Sequence, residues 1–274
     1  MKENEYERVD KMEARTHNLQ TDRFENYISL GYFCEVAKDL ERLGLRNQSS
    51  PFDWVISYFP SVIDAIDKEF SDFLAFDNLS QNTYSRAHYH EDKYHIYFFH
   101  DFSAYQPLAS QYCAVKDKYD RRIKRFLNAI TKPTLFVRYI SSEERDDAGK
   151  SVELKWIEEN YEYVLSVLKR FNTNNEVLFI GDDTTVSKKI KVYHVPIDDG
   201  DRVSRQPIFN NTELFPLLSS VDFPGKENNI KIYTQKQRKR NNIASKILHK
   251  IHRFYEVRYC TEYHHTKVYG VADK

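Results

Sequence analysis

The strongest chemical signal in this chain is Cys34, because of the position that the surrounding pattern gives it. The run from Tyr27 to Gly31 predicts a short buried strand, and apolar residues then repeat at helical spacing up to Gly44. At about 100° per residue, their mean direction lies roughly 130° from Cys34, so the thiol need not face the core. The N–H groups and partial positive charge of a helix N-terminus stabilise a thiolate and a developing oxyanion. We therefore expect a nucleophile, with a small buried structural cysteine as the alternative.

A cysteine nucleophile needs a base, and the chain has ten histidines. His100 ends an apolar strand-like run, where a side chain can emerge at the rim of a sheet, and Asp101 follows it directly. A hydrogen-bonded structural histidine is the alternative.

Two further polar residues occupy positions where open α/β sheets bind ligands. Arg138 interrupts an otherwise apolar strand, which predicts either an anion site or a salt bridge to a buried acid. Asp182 follows the next strand and Gly181, at the end where such sheets place ligands. It could hold a metal or a sugar hydroxyl, or simply cap a helix.

The elements that must position these residues alternate along the chain. Near-continuous apolar runs at 135–140 and 177–180 are separated by an amphipathic helix, and a last strand is expected at 191–195. We predict an α/β fold with a mixed, largely parallel sheet flanked by helices, with a papain-like α+β arrangement as the alternative. We expect a flexible leader at 1–24, a catalytic-type domain at 25–200, and a C-terminal extension at 201–274 with a basic amphipathic helix.

Composition bears on the compartment and on cofactors. Three cysteines are too few for a disulfide framework, and neither an apolar leader nor a run of about 18 apolar residues occurs. We therefore expect a cytoplasmic protein. The common dinucleotide, P-loop, zincin, serine-hydrolase and zinc-ribbon motifs do not occur, so we expect no cofactor and no metal.

The C-terminal part is strongly basic although the whole chain has no net charge. Residues 231–258 carry nine Lys or Arg and a single acid, Glu256. Apolar residues at helical spacing predict a helix that could make peripheral contact with an anionic membrane, or dock on the protein. An isolated basic helix is weak evidence for nucleic acid, and we expect no nucleic-acid partner.

Several short motifs together resemble a bacterial family of unknown function described as "putative papain-like cysteine peptidases". They are SLG followed by Cys34, then PFDW at residues 51–54, and HDF at residues 100–102. The resemblance covers roughly residues 27–195. It implies a peptidase with Cys34 as nucleophile and His100 as base, with Asp53 or Asp101 as the acid that orients the imidazole.

We therefore predict a cysteine-dependent hydrolase in which Cys34 attacks an acyl carbon of a peptide or other acyl substrate. One alternative is a transferase that modifies cell-surface glycans or their activated precursors, and another is a non-catalytic binding module. The residues that we assign to substrate binding are Ser29, Gly31, Trp54, Arg138 and Asp182.

Overall fold

The computed structural model describes residues 23–82, 88–103, 106–197, 204–241 and 246. The predicted leader, except for residues 23 and 24, lies outside these ranges. The apolar residues on which the predicted basic helix depends, Ile243, Ile247, Leu248 and Ile251, also lie outside these ranges.

Eight strands and six α-helices occur in the described ranges. The strands are β1 (Asn26–Ser29), β2 (Val55–Ser57), β3 (Leu79–Gln81), β4 (Tyr89–Glu91), β5 (Ile96–Phe98), β6 (Thr134–Tyr139), β7 (Glu176–Gly181) and β8 (Val192–His194). The helices are α1 (Cys34–Arg42), α2 (Phe59–Asp67), α3 (Leu108–Ala129), α4 (Val152–Phe171), α5 (Leu214–Ser219) and α6 (Lys226–Asn241).

A four-stranded parallel sheet forms the centre of the fold, in the order β1-β6-β7-β8. Both faces of β6 are buried, as the continuous apolar run predicts. Phe136 packs into a cluster with apolar residues of α2, α3 and α4, whereas Leu135 and Val137 pack into a second cluster with residues of α1 and α5. The predicted mixed α/β fold with a largely parallel sheet is confirmed.

A second, antiparallel sheet in the order β2-β5-β4-β3 was not predicted. Most of its sequence lies between α2 and α3, and each of its strands has three residues. Ser57, at the end of β2, donates its N–H to the carbonyl of Tyr32 at 3.1 Å, which places this end of the antiparallel sheet beside the turn before α1.

The chain beyond residue 200 contributes to the core. Ile208, Leu214, Leu218 and Val221 belong to the second cluster together with residues of β1 and α1. The apolar core therefore extends across the division that we predicted at residue 200.

Helix α6, which begins the basic segment, lies against α1. Asn229 donates to the carbonyl of Gly44 at 2.9 Å, and Arg42 donates to the hydroxyl of Tyr233 at 3.2 Å. Among the described helices, none combines the length and the apolar character that crossing a membrane requires.

Candidate active site

Cys34 is the first residue of α1, at the strand-to-helix turn that the sequence predicts. The opposite face of the helix is buried through Val36, Ala37 and Leu40, whereas the cysteine is half-buried. In the first turn of a helix the backbone N–H groups have no partner within the helix. The thiol therefore lies beside donors that could stabilise an oxyanion.

The electrostatics of Cys34 differ from the sequence-based expectation. The Sγ atom lies 3.8 Å from Oε1 of Glu35, which in turn contacts the ammonium of Lys38. Burial raises the pKa of the Cys34 thiol, and Lys38 lowers it by less than burial raises it. At pH 7 the resting cysteine is therefore a neutral thiol.

Arg138 lies beside the turn that joins β1 to α1 and is fully buried. Its guanidinium donates to both carboxylate oxygens of Glu153, at 3.0 and 2.7 Å, and to the carbonyls of Leu30 and Ser57, at 2.8 and 2.7 Å. The salt-bridge interpretation is therefore confirmed, and the donors that would bind an anion are used inside the protein.

Ser29 and Gly31 shape the turn itself. The backbone N–H of Gly31 donates to the hydroxyl of Ser29 at 3.2 Å. Gly31 has a φ of +82°, and a Cβ atom there would lie 2.5 Å from Oγ of Ser57 and 3.0 Å from Nη1 of Arg138. Ser29, Gly31 and Arg138 are thus brought together at the end of β1.

Asp182 lies at the same edge of the parallel sheet, directly after β7, and is buried. Its carboxylate accepts hydrogen bonds from the hydroxyl of Ser142 and from the backbone and side chain of Thr184. These bonds close the turn that follows β7. In the described part of the chain, no group of three or more potential ligands is arranged to hold a metal ion.

Asp53 and Trp54 lie near the other end of α1. Asp53 is buried and accepts hydrogen bonds from Arg46 at 2.6 Å and from the backbone of Ser50 at 2.8 Å. The Trp54 ring is half-buried and packs under the same guanidinium, with 5.5 Å from its centroid to Cζ of Arg46. Ser50 also donates its hydroxyl to the carbonyl of Ser29 at 3.5 Å, but the described contacts do not bring Asp53 to Cys34, so its catalytic role stays a prediction.

His100 is exposed, two residues after β5, and Asp101 bonds to Lys118 and, at 3.0 Å, to Tyr119. Ile96, the first residue of β5, pairs with Ser57 beside the Cys34 turn, and β5 runs away from this point. The described contacts do not bring His100 to Cys34, and its catalytic role stays a prediction.

A histidine that the sequence analysis did not select, His90, has a more suggestive setting. Its Nδ1 lies 2.8 Å from Oδ1 of Asp92, and its Nε2 is buried without a hydrogen bond to any described residue. Burial lowers the pKa of the imidazole, and Asp92 opposes that shift, so the ring is neutral at pH 7. The signal available in the sequence was the spacing of two residues between His90 and Asp92, because residues i and i+2 of an extended segment lie on one face.

A series of aromatic contacts runs from His90 toward the Cys34 turn. The imidazole stacks on Tyr97 at 4.2 Å, and the centroid of Tyr97 is 6.4 Å from that of Tyr58. Tyr58 in turn lies 6.3 Å from Tyr32, two residues before the cysteine. His90 pairs with Tyr97, one residue from the end of the antiparallel sheet that adjoins the Cys34 turn, and the described contacts do not join its ring to Cys34.

Comparison with known proteins identifies the family to which this arrangement belongs. The model of the family described as "Putative papain-like cysteine peptidase (DUF1796)" matches residues 25–174, more than half of the chain. The chain belongs to this family. The region of the chain that matches the papain-like peptidase family includes Cys34, His90, Asp92, His100 and other predicted site residues, whereas Asp182 lies beyond it.

One relative of this chain is a viral protein. It is "Uncharacterized protein R408" of Acanthamoeba polyphaga mimivirus, with 30% identity over an alignment of 185 residues that covers 59% of this chain and 79% of the relative. The comparisons thus do not support the bacterial origin that the resemblance implies. No solved structure matches the chain significantly.

The burial of Cys34 in this family member predicts how the rate of its alkylation depends on pH. We expect the alkylation rate of Cys34 by iodoacetamide to reach half its maximum above about pH 8.5, the ordinary pKa of a thiol. Lys38→Met should move this midpoint up and Glu35→Gln should move it down, because their charges shift the pKa in opposite directions. Peptide mass spectrometry measures the rates, with the exposed Cys113 as internal control. A midpoint below about pH 7, as activated thiolates show, would contradict this assignment.

Proposed function

We propose that this chain hydrolyses peptide bonds and that Cys34 is the nucleophile. The observation that carries the proposal is the half-buried thiol in the first turn of α1, at the end of β1. A carbonyl carbon approaching the sulfur there meets the backbone N–H groups of the first turn, which have no partner within the helix and could hold the developing oxyanion.

We further propose His90 as the base, oriented by Asp92. With a proton on Nδ1 held by the carboxylate, Nε2 is left as the acceptor for the thiol proton. The neutral state of the ring supports this role, since a base must be unprotonated before it acts. His88, which precedes β4, has its pKa lowered to about 4 by burial, which makes it a weak base.

In this mechanism a proton moves from Sγ of Cys34 to Nε2 of His90 as the sulfur attacks the carbonyl carbon. The tetrahedral oxyanion collapses, the imidazolium gives its proton to the departing amine, and a thioester remains on Cys34. Water then attacks the thioester, His90 takes its proton and returns it to the thiol, and the peptide acid leaves. Neutral thiol and neutral imidazole suit this sequence, because charge separates only when substrate is present.

The other hypotheses gain no comparable support from the geometry. A glycan-modifying transferase would use Arg138 and Asp182 to hold a phosphate-bearing donor, but both side chains are fully engaged within the protein. The binding-module alternative and the contact of residues 231–258 with an anionic membrane stay predictions.

The test compares Cys34→Ser, His90→Gln and His100→Gln for cleavage of a peptide library, followed by mass spectrometry. We expect Cys34→Ser to abolish cleavage and His90→Gln to reduce it by about 10²–10⁴-fold, the usual contribution of a general base. His100→Gln and the control Cys113→Ser should retain activity.

Two results would overturn parts of this assignment. Cleavage that survives in Cys34→Ser removes the nucleophile and with it the proposed function. Loss of cleavage in His100→Gln with retention in His90→Gln returns the base to the histidine that the sequence predicted.

A further inference from the structure

A cavity of about 170 Å³ opens at the same edge of the parallel sheet as Cys34, between the beginnings of α2 and α4. Its walls include the rings of Tyr58 and Trp156 together with Pro60 and Val152. Val152 is 36% exposed, so an apolar side chain stands at the surface beside the opening. Pockets for drug-sized ligands measure about 300–1,000 Å³, so this one fits a single side chain rather than a larger molecule.

Carboxylates line the cavity. Glu144 and Glu153 line it, and Glu143 lies close enough that its charge, after burial, contributes most to raising the pKa of the Tyr58 hydroxyl. Glu153 forms an ion pair with Arg138, so its charge is balanced within the protein. Glu144 lines the cavity, is exposed and is not part of this pair, so a carboxylate stands at the opening where a cation could approach it.

We propose that this cavity binds the basic side chain of a peptide, a lysine or an arginine. The aliphatic stem would lie against Pro60 and Val152, and the charged head would lie near Glu144 and over the faces of Tyr58 and Trp156. Aromatic faces attract cations, and the long stems of basic side chains pack well on apolar surface. A neutral or acidic side chain would lack one of these two matches.

Tyr32, in the turn before Cys34, lies next to the wall of the cavity. The Tyr32 ring lies 6.3 Å from that of Tyr58 in the cavity wall, and its hydroxyl interacts with Ser141, another wall residue, and with Glu143. Binding of a basic side chain in the cavity does not depend on whether Cys34 is catalytic. The use of the cavity to select a substrate residue does rest on the proposed function. In that use, a peptide bound at Cys34 would present a basic side chain to the cavity.

The experiment measures binding in the full chain with Cys34→Ala, so that it does not depend on cleavage. Trp54→Phe leaves Trp156 as the single tryptophan, since the chain has two, and its fluorescence reports on the cavity. The two probes are N-acetyl-lysine methylamide and N-acetyl-norleucine methylamide, which differ in the ammonium group. We expect the lysine probe to bind more tightly by up to about fivefold, the upper size of an exposed ion pair.

Two variants and one control locate the site. Glu144→Gln should reduce lysine binding up to about fivefold, whereas Glu159→Gln, on an exposed carboxylate of α4 that does not line the cavity, should leave it unchanged. Val152→Arg should abolish binding, because it places a tethered basic side chain at the opening.

The proposal is overturned if Trp156 responds to neither probe at several millimolar, or if both bind equally. It is also overturned if Glu144→Gln and Glu159→Gln act alike, or if Val152→Arg binds as before. Since the protein in this experiment cannot form a thioester, these outcomes are independent of whether Cys34 and His90 cleave peptides.

Discussion

Replacing Arg138 with methionine should lower the free energy of unfolding by about 3–5 kcal/mol, the usual cost of removing one partner from a buried ion pair. The guanidinium is fully buried, and its loss leaves the carboxylate of Glu153 without its cation. It also removes the donors that satisfy the carbonyls of Leu30 and Ser57. Unfolding in urea, followed by circular dichroism, gives the measurement.

Arg170 offers a matched control, because it makes an ion pair of similar length with Asp67 at the surface. The Arg170 to Asp67 distance is 2.5 Å, but the two side chains are 45% and 32% exposed. Arg170→Met should therefore cost less than about 1 kcal/mol. If Arg138→Met costs no more than Arg170→Met, the guanidinium does not stabilise the fold in the way that its contacts indicate.

Replacing Gly31 with alanine should be nearly as damaging. A left-handed φ costs a residue with a Cβ atom about 1–2 kcal/mol. The added carbon would also approach Ser57 Oγ to 2.5 Å, and forcing atoms into a packed site costs about 1–3 kcal/mol more. Ser57 cannot move aside without losing the hydrogen bond from Arg138, at 3.2 Å. We therefore expect a loss of about 2–5 kcal/mol in the same unfolding assay.

Substitution of Gly149 serves as a control that distinguishes the cost of the left-handed backbone from the cost of close approach to Ser57. It has a similar φ of +78°, but no atom lies within 4 Å of the position that a Cβ would take. Gly149→Ala should therefore show only the cost of the left-handed backbone. In Gly31→Ala combined with Ser57→Ala, part of the stability should return, since the hydroxyl oxygen is gone. Equal losses in the two single glycine variants would show that close approach at Gly31 contributes nothing.

The parallel sheet could be predicted from the sequence because its strands are buried on both faces. The apolar runs at 135–140 and 177–180 correspond to β6 and β7, and the predicted last strand at 191–195 contains β8. The antiparallel sheet could not be predicted in the same way. Its strands of three residues are too short to show alternation, and the pairing of β3 with β4 is a contact between segments rather than a property of either one.

In the candidate site, too, some features could be predicted from the sequence and others could not. The position of Cys34 at a strand-to-helix turn followed from local spacing, and so did the expectation that a buried arginine needs an acid. The identity of that acid, Glu153, depends on how α4 packs against β6. The rise in the pKa of Cys34 and the pairing of His90 with Asp92 likewise depend on burial and on side-chain direction, which the order of residues does not specify.

The stretch that identifies the family is shorter than the unit that must fold. The match ends at residue 174, yet β7 and β8 make up half of the parallel sheet, and Ile208 to Phe223 supply apolar residues to the second cluster. A protein cut at residue 174 would turn β6 into an open edge and uncover Leu135 and Val137, an arrangement that invites aggregation. In this chain the family match ends in the middle of the parallel sheet, so the nucleophile helix relies on packing partners that this match alone would leave out.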